Sequence, residues 1–243
     1  MRPTGAALAA TICLILLLPG QAQGQFRGDR GLAVSFAIVP VDFGLDVDDA
    51  TVAFRYHDSA YGLVLTRAGL HASMTRGSTT STTSGGSSLD LFDVSLSLMG
   101  ELLEDRTAGL PVHVPILLHS TYRRIRREEG GTDFAAFEYT SIGLGVGLGT
   151  RQESGRISLQ AHAIPGIGLA TRSFGTSTGR SLLMDADAQM GIANVFSRFG
   201  LVVGYNLRWQ NWRVGGPDAF GAGETGKVTY DGTSHSIRVG ISW

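Results

Sequence analysis

The last ten residues, Ser234-His235-Ser236-Ile237-Arg238-Val239-Gly240-Ile241-Ser242-Trp243, alternate strictly in character. Successive side chains of a strand point to opposite sides. His235, Ile237, Val239, Ile241 and Trp243 therefore share one apolar face, and Ser236, Arg238, Gly240 and Ser242 share a polar one. The same period of two recurs upstream. Leu201, Val203, Tyr205, Leu207 and Trp209 alternate with Val202, Gly204, Asn206, Arg208 and Gln210. Leu182 to Ile192 alternate around Asp185, Asp187 and Gln189, and Phe92, Val94, Leu96 and Leu98 alternate around Asp93, Ser95 and Ser97. Ile142 to Leu148 alternate with Gly143, Gly145, Gly147 and Gly149. Helical periodicity is hard to find, so the chain reads as all-β.

The composition of the 243 residues excludes several classes. With 43% hydrophobic and 17% charged residues, the chain is too apolar for intrinsic disorder. Twenty basic residues against 21 acidic ones leave no excess for nucleic acid. The single cysteine, Cys13, allows no disulfide framework and no cysteine metal site. Arg2, an apolar run from Ala6 to Leu18, a Pro19-Gly20 break and small residues to Gly24 follow the order of a secretory signal peptide. The run is short of the roughly 20 residues that cross a bilayer. The expected division is a signal peptide over 1–24 and one β domain over 25–243.

Exported chains with many amphipathic strands close either a soluble barrel or sandwich, with apolar faces inward, or a membrane barrel, with apolar faces toward lipid. Strands that by the alternation typically run 12–18 residues exceed the soluble mode of about 5–6. Together with the terminal Trp243, the pattern resembles that of small bacterial outer-membrane β-barrels, the porin-like, OmpX-like and opacity-type proteins. The resemblance implies an antiparallel up-and-down barrel in the outer membrane. It also implies an assembly signal, recognised by the barrel-assembly machinery, in Ile237, Val239, Ile241 and Trp243.

The alternation predicts ten strands, at 31–43, 51–58, 61–76, 89–101, 111–126, 134–149, 155–172, 182–196, 199–213 and 234–243, with eight as the alternative. Periplasmic turns are expected at Asp58-Ser59-Ala60, 102–110, 150–154 and Ser197-Arg198. Outer loops are expected at 44–50, 77–88, 127–133, 173–181 and 214–233. A barrel this narrow fills its lumen with side chains. The polar faces assign to it a network of Asp93, His113, His119, His162, Asp185, Asp187, Arg208 and Arg238, joined by Arg55, Gln189 and Asn206. Charges on neighbouring strands are expected to pair, because uncompensated charge in a low dielectric is costly. The glycine ladder from Gly143 to Gly149 is expected to leave room for bulky side chains. Tyr122, Tyr205, Trp209, Trp212 and Trp243 suit interfacial aromatic belts.

Arg123, Arg124, Arg126 and Arg127 form the sharpest charge cluster, at the outer end of a strand. Guanidinium groups bind phosphate bidentately, so outer-membrane lipids, lipopolysaccharide phosphates above all, are the expected partners. His57-Asp58-Ser59 contains the residue types of a hydrolase triad, but adjacent strand residues point apart. Asp46, Asp48 and Asp49 read as a solvated acidic loop. His113 and His119 lie about 20 Å apart along a strand, too far for one metal. No catalytic residue, metal site or cofactor is expected. The expected role is structural or surface-interactive, with a narrow pore and an outer-membrane enzyme as alternatives.

Overall fold

A computed structural model describes residues 31–47, 53–67, 69–80, 88–105, 112–129, 132–172, 177–216 and 226–243. The segment read as a signal peptide, and Asp48 and Asp49, lie outside them. The strands are β1 (Leu32–Val47), β2 (Ala53–Arg67), β3 (Leu70–Thr80), β4 (Ser88–Asp105), β5 (Val112–Glu129), β6 (Thr132–Val146), β7 (Leu148–Ser154), β8 (Ile157–Arg172), β9 (Thr178–Phe196), β10 (Phe199–Gly216) and β11 (Gly226–Ser242). β6 and β7 are two halves of one strand broken at Gly147, whose amide still donates to the Pro115 carbonyl at 3.1 Å. Each strand pairs antiparallel with its chain neighbours, and β1 pairs with β11. The result is a closed ring of ten, not eight. Leu32 and Trp243 seal the seam with reciprocal backbone hydrogen bonds of 3.0 Å.

The register fixes the ring's shape. Pairs followed from Ile38 through Tyr61, Arg76 and Phe92 reach Arg124 of β5. Followed the other way, through Ile237, Tyr205, Ala188, Ala161 and Thr150, they reach Val112 of the same strand. The twelve-residue offset is the stagger of the barrel, and staggered closure tilts the strands by about 35–45°.

The outer wall changes character with height. Its lower part is an apolar band, with Phe36, Ile38, Leu63, Leu144, Ile167 and Val239 all more than 40% exposed. Closing all strands leaves no unpaired edge, as backbone in hydrocarbon requires. On β1 the band runs from Leu32 to Pro40. Nine residues at about 3.3 Å each, tilted by about 40°, rise roughly 20 Å, close to the span of membrane barrels. Above it the outward residues become charged: Asp42, Asp46, Arg55, His57, Asp90, Arg124, Arg213 and Asp231. The strands run on past the band, and in this upper storey the inside is apolar. Phe43, Tyr56, Leu89, Leu91, Ile125, Tyr139, Trp212, Val214, Val228 and Tyr230 are all buried in one cluster.

This inversion corrects three expectations. Arg55 does not face the lumen: it stands on the outer wall, with its guanidinium 3.1 Å from Asp46. Trp212 is not a belt residue, since it is fully buried inside. Arg123 is not on the rim; it points inward and is 5% exposed. A single lipid-out, polar-in rule fails wherever strands continue beyond the lipid, because there water sits outside and the apolar residues turn in.

The first hairpin also differs. No turn interrupts 58–60: β2 pairs with β1 without a break from Leu32↔Arg67 to Asp46↔Ala53. The chain reverses between Arg67 and Leu70, where Gly69 adopts φ 82°, a left-handed conformation that costs other residues about 1–2 kcal/mol. Most of the loop expected at 214–233 is strand as well, in β10 and β11.

Candidate functional site: a lumen closed at two heights

The lower storey, level with the apolar band, holds the charged groups. Asp185 of β9 and Arg208 of β10 are register partners. Arg208 sets Nε and Nη2 on one carboxylate oxygen at 2.8 and 2.7 Å. The same carboxylate accepts from Asn206 Nδ2 at 3.1 Å and lies 3.4 Å from His162 Nε2. Arg238 of β11 holds Asp187 of β9 with both terminal nitrogens, at 2.7 and 2.8 Å, and reaches Gln189 at 3.0 Å. That pair skips a strand. It can do so because β10 has Gly204 between them: a Cβ there would stand 2.6 Å from Arg238 Nε.

Arg208 also crosses the lumen, donating from Nη1 to Ser95 of β4 at 3.1 Å. Ser95 bonds Ser73 of β3 at 2.7 Å. His119 is buried nearby, 2.9 Å from Ser97 and also bonded to Thr121. His113 is buried against Gly149, where a Cβ would lie 2.4 Å from its Nε2. The glycine ladder makes room there as expected.

In the upper storey Arg123 of β5 sets Nε and Nη2 on Asp93 of β4, both at 2.7 Å. Its Nη1 donates across the lumen to the Tyr230 hydroxyl of β11. The guanidinium lies 4.8 Å from the Tyr230 ring centroid and 5.3 Å from that of Trp212. Phe43 stacks on Tyr56 at 5.1 Å, and Tyr230 packs on Phe43 at 5.4 Å and on Trp212 at 5.2 Å. Tyr230 sits above the band, and burial pushes its hydroxyl up to about 12, keeping it neutral. A cavity of about 50 Å³ remains between the storeys, and one of about 90 Å³ lies beside and below the charge pairs, toward Gly69 and Met99, room for a few waters. The lumen is thus closed by charge pairs below and by a cation held among aromatic rings above. The Arg208–Ser95 and Arg123–Tyr230 bonds, β10 to β4 and β5 to β11, each join strands five places apart in the ring of ten, and Gln210 of β10 also reaches His119 and Thr121 of β5 at 3.5 Å.

Of the residues assigned to the lumen, Asp93 lies in the upper storey, and His119, His162, Asp185, Asp187, Arg208 and Arg238 lie in the lower. Sequence reading missed His71, which lines both cavities, because Ala68-Gly69 was taken as strand. It also missed Tyr230, inside the segment read as an outer loop. Arg124 and Arg126 do face outward, while the side chain of Arg127 lies outside the described residues. His57 pairs with Asp42 across β1 and β2 at 3.2 Å, both exposed, rather than with Asp58. The residues of the terminal strand, Ile237, Val239, Ile241 and Trp243, face outward at 48–53% exposure. Among the described residues no three His, Cys, Asp or Glu side chains come together as metal ligands.

No family model and no curated protein matches the chain. Solved structures similar to it include the outer membrane protease OmpT from Escherichia coli, at 10% identity, 90% of this chain and 97% of that one, with a TM-score of 0.42. OprG from Pseudomonas aeruginosa is similar at 11% identity, 88% and 96% coverage and a TM-score of 0.34. Neisserial surface protein A is similar at 10% identity, 87% and 95% coverage and a TM-score of 0.33. These are outer-membrane proteins of different activities, and likeness at this level carries no role to this chain. Its own sheet makes it a closed antiparallel barrel of the transmembrane type.

Proposed function

We propose that the protein is an integral outer-membrane barrel with a sealed lumen, serving the envelope as a structural or surface-interacting element rather than as a conduit. The observation that carries this is the double closure, by charge pairs at the height of the lipid and by Arg123, Trp212 and Tyr230 above it. The charged upper wall, with Asp42, Asp46, Arg55 and His57 exposed, offers a hydrated surface beyond the membrane. No catalytic step belongs to this reading. The outward residues Ile237, Val239, Ile241 and Trp243 suit capture of the last strand by assembly machinery. In planar bilayers the purified protein is expected to give no steady conductance. A large, stable open level in the unmutated protein would overturn the proposal.

A further inference from the structure

A broad concavity lies on the outside of the barrel wall. A groove of about 410 Å³ crosses β1 to β5 where the apolar band meets the charged wall. Its floor is apolar: Tyr61, Leu63 and Met74 are 57, 52 and 49% exposed. Its upper lip carries Arg76, Arg124 and Arg126. The register sets Arg76, Phe92 and Arg124 in one row across three strands. The two arginine Cα atoms thus stand about 10 Å apart, two strand spacings, with Phe92 between them. Arg124 lies over the Phe92 ring at 5.4 Å, which steadies its guanidinium without using up its donors. Arg126 occupies the next row, opposite Asp90.

Among the residues lining the groove, Asp90 is the carboxylate set against three guanidinium groups. Its contact with Arg76 is 3.9 Å with both groups exposed, an ion pair of little energy that is readily exchanged. Glu138, beside Arg124 in register, is engaged by the Tyr122 hydroxyl at 2.6 Å. That bond leaves the Glu138 charge in place, so three guanidinium groups against the two carboxylates of Asp90 and Glu138 leave the lip an excess of one positive charge, and arginine forks match phosphate oxygens in pairs. A free anion has no use for the apolar floor. An acyl chain has no use for the lip.

We propose that this groove is a binding site for a membrane lipid with an anionic phosphate headgroup, its acyl chain lying along Tyr61, Leu63 and Met74 and its phosphate held by Arg76, Arg124 and Arg126. The inference rests on the membrane placement proposed above. Arg123, though adjacent in sequence, takes no part, because it faces the lumen.

The test uses protein folded in phosphatidylcholine nanodiscs doped with phosphatidic acid or, separately, with neutral diacylglycerol, and scores retained lipid by native mass spectrometry. Phosphatidic acid is expected to be retained and diacylglycerol not. The double variant Arg124→Gln with Arg126→Gln is expected to lower retention at least tenfold. Arg124→Lys with Arg126→Lys, which preserves charge, is expected to restore only part of it. Equal retention by variant and unmutated protein, equal retention of diacylglycerol, or displacement of the lipid by millimolar inorganic phosphate alone would each overturn the site. Heat-dependent gel mobility of each variant reports folding independently. A protein that shifts with heat yet holds no lipid sinks this inference alone, whereas a protein that never enters bilayers sinks the membrane placement.

Discussion

Asp93 and Arg123 meet inside the barrel with both charges withdrawn from water, so removing either leaves the other buried and uncompensated. Breaking such a pair costs about 3–5 kcal/mol. Arg123→Gln and Asp93→Asn are each expected to destabilise the barrel by that order in urea unfolding from lipid vesicles. Arg126→Gln, three positions along the same strand but on the outer wall, is expected to change stability by no more than about 0.5 kcal/mol. One step of chain separates Arg123 from Arg124, and that step is the whole distance between a lumen brace and a group on the outer wall. In sequence the two stand in one run of like charge, and composition alone cannot divide it. What divides it is parity: His113 and His119, assigned to the lumen, share theirs with Arg123 and not with Arg124 or Arg126. Gly204 shows a second kind of dependence. Gly204→Val is expected to break the Arg238–Asp187 contact without touching either charge, read as a loss of stability matching that of Arg238→Gln.

The strand is the scale at which the two storeys arise. From Ala33 to Phe43, β1 keeps one parity inward, yet its inward residues change from Ser35 to Val41 and Phe43, while its outward ones change from Ile38 to Asp42. The alternation was legible throughout; its meaning was not, since period two looks the same whether the apolar face meets lipid or a dry interior. Arg55 and Trp212 were misplaced for this reason. The first hairpin was misread because Asp58-Ser59 carries turn residues, whereas the real turn needed only Gly69 at positive φ. Insertions separate the two positions. One extra residue after Ser59 would shift register and exchange the faces of β2 beyond it, and it is expected to abolish the heat-dependent gel shift. Two glycines added after Gly69 lengthen the connection between β2 and β3 and are expected to leave the shift intact.

For the molecule as a whole, closures at two heights act in series. Opening the lower one leaves the path blocked above. Asp187→Ala alone is therefore expected to stay silent in bilayers, while Asp187→Ala combined with Trp212→Ala and Tyr230→Ala is expected to conduct. Conduction by the single variant would show that the aromatic storey does not seal. The ring's existence was legible from many amphipathic strands and a terminal Trp243; the pairing of distant strands across the lumen was not, because no local pattern encodes which residues meet over a diameter. Two of those bonds have a mechanical meaning. A hollow tube in a fluid sheet deforms most easily by flattening into an ellipse, which shortens one axis and lengthens the other at almost no change in perimeter. The bonds from Arg208 to Ser95 and from Arg123 to Tyr230 run like spokes along adjacent diameters of the wheel, one above the other. They turn that soft mode into a stiff one, so the barrel keeps a round section under sideways pressure from crowded neighbours.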